Sequence, residues 1–188
     1  MSEKNYFREL ETEDLLLKEF EEIYTEETWN GIFSDYEYYR TCTTKKLKDY
    51  ETYSNIVSGY KEQYEKGNYF HWAITLKENN SILGGIRLRQ IDLFNHKCSM
   101  AWVLMKQEQG KGYMAQAASR VLDFAFEELN MHRAECTILE ENKKSIVLAE
   151  RLGMIREGLE RESWKENEEY KNEYVYSLLK SDRRPKRK

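Results

Sequence analysis

The spacing of apolar positions changes period several times along the chain, and each change marks an element. Leu15, Leu16, Leu17, Phe20 and Ile23 follow Thr12-Glu13-Asp14, a start signal ahead of an apolar stripe, and predict an N-terminal helix. A second helix is expected over 45–66, ended by Gly67. From residue 69 the pattern is that of strands: 69–76, 81–91 and 97–105, separated by turns at Glu78-Asn79-Asn80 and near Phe94-Asn95-His96, read as an antiparallel meander. Beyond Gly110 and Gly112 the stripe Met114, Ala117, Ala118, Val121, Leu122, Ala125 and Leu129 has helical spacing. A strand over 133–139 follows, then a short helix capped by Asn142 and closed by Gly153. Two last strands, 154–164 and 169–179, meet at a turn at Glu166-Asn167-Glu168. The order α-α-β-β-β-α-β-α-β-β, with room for an extra first strand, predicts an α/β mixed sheet with helices on its faces.

Composition narrows the class. With 188 residues, 40% hydrophobic, 34% charged and one proline, the chain suits a single domain over 1–182 followed by a basic tail at 183–188. The longest run without Asp, Glu, Lys or Arg is 67–76, half of a membrane span, and charges at Glu3, Lys4, Arg8 and Glu9 are unlike a secretory leader. Cys42, Cys98 and Cys136 are odd in number and lack CxxC spacing, which suggests reduced thiols in a cytoplasmic protein. The tail cations Arg183, Arg184, Lys186, Arg187 and Lys188 make the body more acidic than the net charge of -4 suggests. Seven carboxylates between Glu157 and Glu173 would repel phosphate backbones and attract cations, so a nucleic-acid partner is not expected. Eight of the fourteen tyrosines fall between Tyr36 and Tyr69, either as a helical layer packed on the sheet or as a polar-tipped wall beside a cleft.

The candidate chemistry sits between the apolar strand ending at Met105 and the strongest helix. Gln107-Glu108-Gln109-Gly110-Lys111-Gly112 supplies glycines that let the backbone turn tightly, just before helix N–H groups and a dipole that favour anionic oxygens. The lysine-serine pair of a P-loop and the GxGxxG of a dinucleotide site are both missing, and a plain strand-to-helix turn stays open as a reading. No HxH, HExxH or Cys/His cluster suggests a metal.

The run Met100-Ala101-Trp102-Val103-Leu104-Met105, the stretch QEQGKGYMAQAASRVLDFAFEELNMHRAE and the later ENKKSIVLAERLGMIREG resemble the GNAT superfamily of acetyl-CoA-dependent N-acetyltransferases, closest to its RimJ/RimL-like branch. The ending NEEYKNEYVYSLLK resembles the same branch, whereas residues 1–66 agree in layout only. The resemblance implies the acyl-CoA N-acyltransferase fold, a sheet splayed between the strands at 100–105 and 133–139, and acetyl-CoA as co-substrate without a metal. It implies cofactor contacts from Trp102, Val103, Leu104, Gln107, Gln109, Gly110, Lys111, Gly112, Tyr113 and Met114, with the pyrophosphate on the amides of 109–114. Asn142 and Ser145 match the family's NxxS and imply contact with the pantetheine arm and thiol, although capping alone would also explain them.

Two departures bear on catalysis. Many family members have a tyrosine seven residues after the asparagine; this chain has Ala149, which leaves Ser145 as the hydroxyl candidate for the departing thiolate. Ser99 stands where the branch commonly has a glutamate, so a base would have to be a water relay, Asp92 or a carboxylate of the 157–173 hairpin. The expected acceptor is the N-terminal α-amine of a protein, as the branch name implies. A small cationic amine such as a polyamine or aminoglycoside, and a non-catalytic CoA-binding module, are the alternatives; a homo-oligomer is compatible with all three.

Overall fold

A computed structural model describes residues 7–182; the basic tail lies outside the described residues. Its frame is one eight-stranded sheet in the order β1-β2-β3-β4-β5-β6-β8-β7. The strands are β1 (Leu10–Glu11), β2 (Leu15–Glu19), β3 (Phe70–Leu76), β4 (Ile82–Asp92), β5 (Lys97–Leu104), β6 (Arg133–Leu139), β7 (Ile155–Glu166) and β8 (Glu169–Leu179). Every neighbouring pair is antiparallel except β5 and β6. The meander, β6 and the closing hairpin therefore lie where the apolar pattern puts them.

The N-terminal expectation is corrected: the leucines after Asp14 form a strand instead of a helix. Leu15 and Leu17 are fully buried while Leu16 and Lys18 are half-buried, the period of two, and the segment pairs with β3 from Leu15↔Leu76 to Glu19↔Trp72. Thr12 does act locally, but it closes a hairpin: its hydroxyl accepts from Leu15 N–H at 3.1 Å and its own N–H donates to Leu15 C=O at 3.0 Å. A cap signal and a tight turn use the same hydroxyl, and three consecutive leucines fit either period, so burial against β3 decides.

Short helices cover one face of the sheet: α1 (Thr25–Thr28), α2 (Tyr36–Arg40), α3 (Tyr50–Ser58) and α4 (Tyr60–Glu65), with a π-helical turn at Trp29–Phe33. The single helix expected over 45–66 is thus shorter and broken at Gly59. Asp49 caps α3 by accepting from Thr52 N–H at 2.9 Å. Tyr53 and Val57 of α3 pack with Phe20, Ile32, Ala73 and Met105 in a small core. The larger core lies on the other face, where α5 (Tyr113–Asp123) and α6 (Lys143–Arg151) cover Trp72, Ile86, Leu88 and Met100. Among the described residues, no helix is long and apolar enough to cross a membrane.

Glycine matters in the sheet at Gly84, opposite Leu104 near a register shift in the β3–β4 ladder. A Cβ there would sit 2.2 Å from the Val103 carbonyl oxygen and 2.9 Å from Leu104 Cα, backbone that cannot swing aside. Gly84→Ala is expected to lower stability by about 1–3 kcal/mol, read as a shifted urea midpoint. An unchanged midpoint would mean that β4 and β5 are further apart than this register requires.

Candidate active site

β5 and β6 are parallel neighbours over only three pairs, Lys97↔Arg133, Cys98↔Ala134 and Ser99↔Glu135. Past Ser99 they part. β5 stays on β4 as far as Gly84↔Leu104, and β6 stays on β8 as far as Leu139↔Glu173, so each strand is anchored on its outer side. The edge of β5 from Met100 to Leu104 thereby loses its ladder partner and turns backbone N–H and C=O groups to the gap. A cavity of about 160 Å³ occupies this gap, bounded by Ala101, Trp102 and Val103 on one side and by Thr137 and Ile138 on the other.

Residues beyond the sheet close the cavity. Asn142 caps α6 by accepting from Ser145 N–H at 3.1 Å, and its amide donates to Thr41 C=O at 2.6 Å, tying the helix start to the segment after α2. Ser145 lies across the split from β5, where its Oγ accepts from the Trp102 indole N–H at 3.3 Å. That bond uses an oxygen lone pair and leaves the hydroxyl proton free to be donated elsewhere. The β7–β8 turn steadies the same cover, with Lys171 Nζ donating to Arg40 C=O at 3.0 Å and Asn167 Nδ2 to Tyr36 Oη at 3.0 Å.

The loop before α5 is a second distinct feature. Gly110 and Gly112 have φ of 84° and 87°, the left-handed region, and nothing lies within 4 Å of where their Cβ atoms would be. Glycine is required there for conformation, not for space. The first backbone bond into α5 is Gln116 N–H to Gly112 C=O, and no side chain caps the helix, so the amides of Tyr113 to Ala115 have no acceptor among the described residues. Gln109 is held on both sides, donating to Leu104 C=O at 3.1 Å and accepting from Lys144 Nζ at 2.8 Å. An uncapped helix start with free amides suits an anion.

The residues singled out from sequence thus occupy two connected places. Trp102, Val103, Asn142 and Ser145 line the cavity; Gln109, Gly110, Lys111 and Gly112 form the exposed loop. Lys111 is engaged by Glu108 at 3.0 Å, and the exposed Gln107 turns its amide toward Met105 Sδ. Tyr113 is half-buried and Met114 buried in the core, so Met114 presents only its amide to the loop. Ala149 is fully buried and has no polar group to offer.

The expected carboxylate bases are absent from the cavity wall. Asp92 instead holds its own turn, accepting from the backbone N–H groups of Phe94 and Asn95 at 3.0 and 2.9 Å, and among the described residues no Asp or Glu lines the cavity. Ser99 is buried between Arg89 and Glu135 in the ladder.

Sequence reasoning missed Arg87, Arg89 and His71 on the wall, and left the tyrosines with two readings. Both hold: Tyr53 and Tyr64 are packed core residues, while Tyr38, Tyr53 and Tyr60 also face the cavity. The signal for the arginines was the alternation Arg87-Leu88-Arg89 directly after the apolar run 82–86, which puts both cations on one face. His71 stacks on Phe20 at 4.3 Å and is held neutral, first by burial and then by the charge of Arg87. Burial pushes the Cys136 thiol up to about 12, and raises Cys42 as well, so neither is an activated nucleophile.

Comparison with known proteins gives this geometry its context. Residues 7–155 match the acetyltransferase (GNAT) domain. The Bacillus subtilis (strain 168) protein named "Probable N-acetyltransferase YjcK" is 30% identical over 127 residues, which cover 67% of this chain and 70% of that protein. Ribosomal-protein-S5-alanine acetyltransferase from Vibrio fischeri has a similar fold, with TM-score 0.81 and 20% identity, covering 95% of this chain and 100% of its own. Spermidine N-acetyltransferase from Vibrio cholerae, solved with CoA and spermine, gives TM-score 0.80 at 19% identity over 90% of this chain and 98% of its own.

The double role of Asn142 can be dissected. Asn142→Asp keeps an oxygen for the Ser145 amide but loses the donor to Thr41, whereas Asn142→Ala loses both. Thermal melting is expected to rank the native protein above Asp and Asp above Ala, with alanine costing about 1–2 kcal/mol. Equal melting of Asp and native protein would show that the Thr41 contact adds nothing.

Proposed function

The chain belongs to the GNAT acetyltransferase family and is an acetyl-CoA-dependent N-acetyltransferase; from that premise we propose that it acetylates the α-amine of a protein or peptide, in a ternary complex assembled at the β5–β6 split. The observation that carries this reading is a cavity wall without Asp or Glu among the described residues. Such a wall offers neither a carboxylate to deprotonate an ammonium nor one to hold a polycation.

The donor end is read from the loop and the split. Within the loop and helix start at 109–114, the free amides from Tyr113 onward are suited to the pyrophosphate, while the Gln109 amide is already given to Lys106 C=O; Asn142 and Ser145 are suited to the arm that reaches the gap. Lys111 is a lesser contributor, being already paired with Glu108. Gly112→Val is therefore expected to weaken acetyl-CoA binding at least tenfold in calorimetry, and Lys111→Ala by less than threefold, because the valine forbids the left-handed turn while the alanine spares every amide. Normal binding by a folded valine variant would contradict the assignment.

Acetyl-CoA supplies an electrophilic thioester carbon. The N–H groups along the β5 edge near Trp102 to Leu104, beyond its pairing with β6, are suited to donate to the carbonyl oxygen as negative charge develops there. The amine nitrogen bonds to that carbon, the carbon–sulfur bond breaks with its electron pair on sulfur, and the amine's surplus proton leaves to water. Ser145, with its proton free, is the group to donate a hydrogen bond to the departing sulfur.

Without a base, the acceptor's own acidity governs the rate. An α-amine with pKa about 7.7–8.0 is roughly a quarter to two-fifths neutral at pH 7.5, against about 0.1% for lysine at about 10.4. The gap corresponds to about 3.4 kcal/mol. The polyamine reading keeps one support, the acidic exposed strand β7 and the turn that leads into β8. The test is kcat/KM for a free-N-terminus peptide, its N-acetylated lysine-containing counterpart and spermidine. The α-amine peptide is expected to be fastest, and because only the neutral amine attacks, its kcat/KM should rise with pH and level off above about 8. Faster turnover of spermidine, or an inflection near pH 4–5 from a carboxylate base, would overturn the reading.

A further inference from the structure

The charges at the cavity run opposite to those of the body. Arg87 pairs with Ala101 and Arg89 with Ser99 in the β4–β5 ladder, so both side chains share the face covered by α1 to α4, and both line the cavity. Neither guanidinium has a carboxylate within 4 Å among the described residues. Arg87 lies among the hydroxyls of Tyr69, Tyr38 and Tyr60; Arg89 has a buried Nε without any partner. The carboxylates of the surroundings are engaged elsewhere: Glu135 by Arg133 Nε at 2.9 Å, and Glu173, which Arg89 feels at a distance, by Ser163 Oγ at 2.7 Å. Burial first, and then repulsion from Arg87, weakens the hold of Arg89 on its proton.

Two half-buried cations side by side, with no carboxylate in contact among the described residues, are a costly arrangement unless something anionic completes it. The donor phosphates have a different place at the α5 start, on the reading given above. We propose that Arg87 and Arg89 form an anion subsite for the acceptor, which therefore carries a carboxylate within a few bonds of the amine that is acetylated. This rests on the cavity being the acceptor site and narrows the acceptor class: a peptide with Asp or Glu at its first or second position, or a free amino acid presenting its α-carboxylate. The planar forks of arginine suit a carboxylate bidentately.

The test compares kcat/KM for Ser-Glu-Ala-Ala with Ser-Gln-Ala-Ala and for Asp-Ala-Ala-Ala with Asn-Ala-Ala-Ala, each as the C-terminal amide, alongside free aspartate and its α-amide. Native protein is expected to prefer a carboxylate over its amide counterpart by about tenfold or more. The pair that shows the preference identifies whether a side chain or an α-carboxylate is read. In Arg87→Gln and Arg89→Gln the ratio should collapse toward one, and Arg89→Lys should restore part of it; acetyl-CoA affinity reports that each variant is folded. Equal turnover of acid and amide by native protein, or a ratio unchanged in both glutamine variants, would overturn the subsite. N-acetylated Lys-Glu and Lys-Gln peptides separate this from the amine question: acid-selective turnover of the lysine pair would sink the α-amine reading and uphold the subsite.

Discussion

The constraint on which the rest depends is that β5 and β6 pair for only three residues and then cannot stay together. Each is held on its outer flank, β5 by β4 through Leu104 and β6 by β8 through Leu139. A sheet interrupted at its middle leaves backbone groups without partners, a cost that a fold carries only where water or a ligand can meet them. The remaining contacts of the site follow the gap: Trp102 reaching Ser145, Asn142 reaching Thr41, and the helices α2 to α4 bringing Tyr38, Tyr53 and Tyr60 over one side. The uncapped start of α5 comes directly after the parted strand, so the strand ladder and the helix end lack partners within one short stretch of chain.

Charge has to be read locally. The sequence is acidic overall, with carboxylates crowded on the exposed strand β7 and the turn after it, and from composition alone it suggests a protein that gathers cations. The wall of the cavity has the opposite character, two arginines and no Asp or Glu among its lining residues. Long-range attraction is screened within about 8–10 Å at ordinary salt, whereas partly buried charges beside a bound group are screened much less. Selection of an acceptor in the gap thus follows the arginines more than the body.

Legibility from sequence followed the strength of local patterns. The meander, α5 and the last hairpin were readable because each has a long stretch with one period and clear turn residues. Leu15 to Leu17 was misread because three leucines carry no period, and because the Thr12 hydroxyl serves a hairpin as well as a helix start. The loop at Gly110 and Gly112 and the Asn142–Ser145 cap were legible, since unusual backbone and capping both leave residue signatures. Arg87 and Arg89 were visible only as a two-residue alternation. Their importance depends on Ala101 and Ser99 lying opposite, a tertiary fact that no local pattern encodes. Asp92 was an equally plausible base in sequence and is spent on its own turn.

Amide NMR on titration with acetyl-CoA tests most directly whether the gap and the helix start are one donor site. The account predicts that the largest backbone shifts fall on Trp102 to Leu104 and on Gln109 to Ala115, with β7 and the turn at Asp92 unmoved. Shifts concentrated on the acidic hairpin or the outer face of β1 and β2, with these two groups of amides silent, would contradict it.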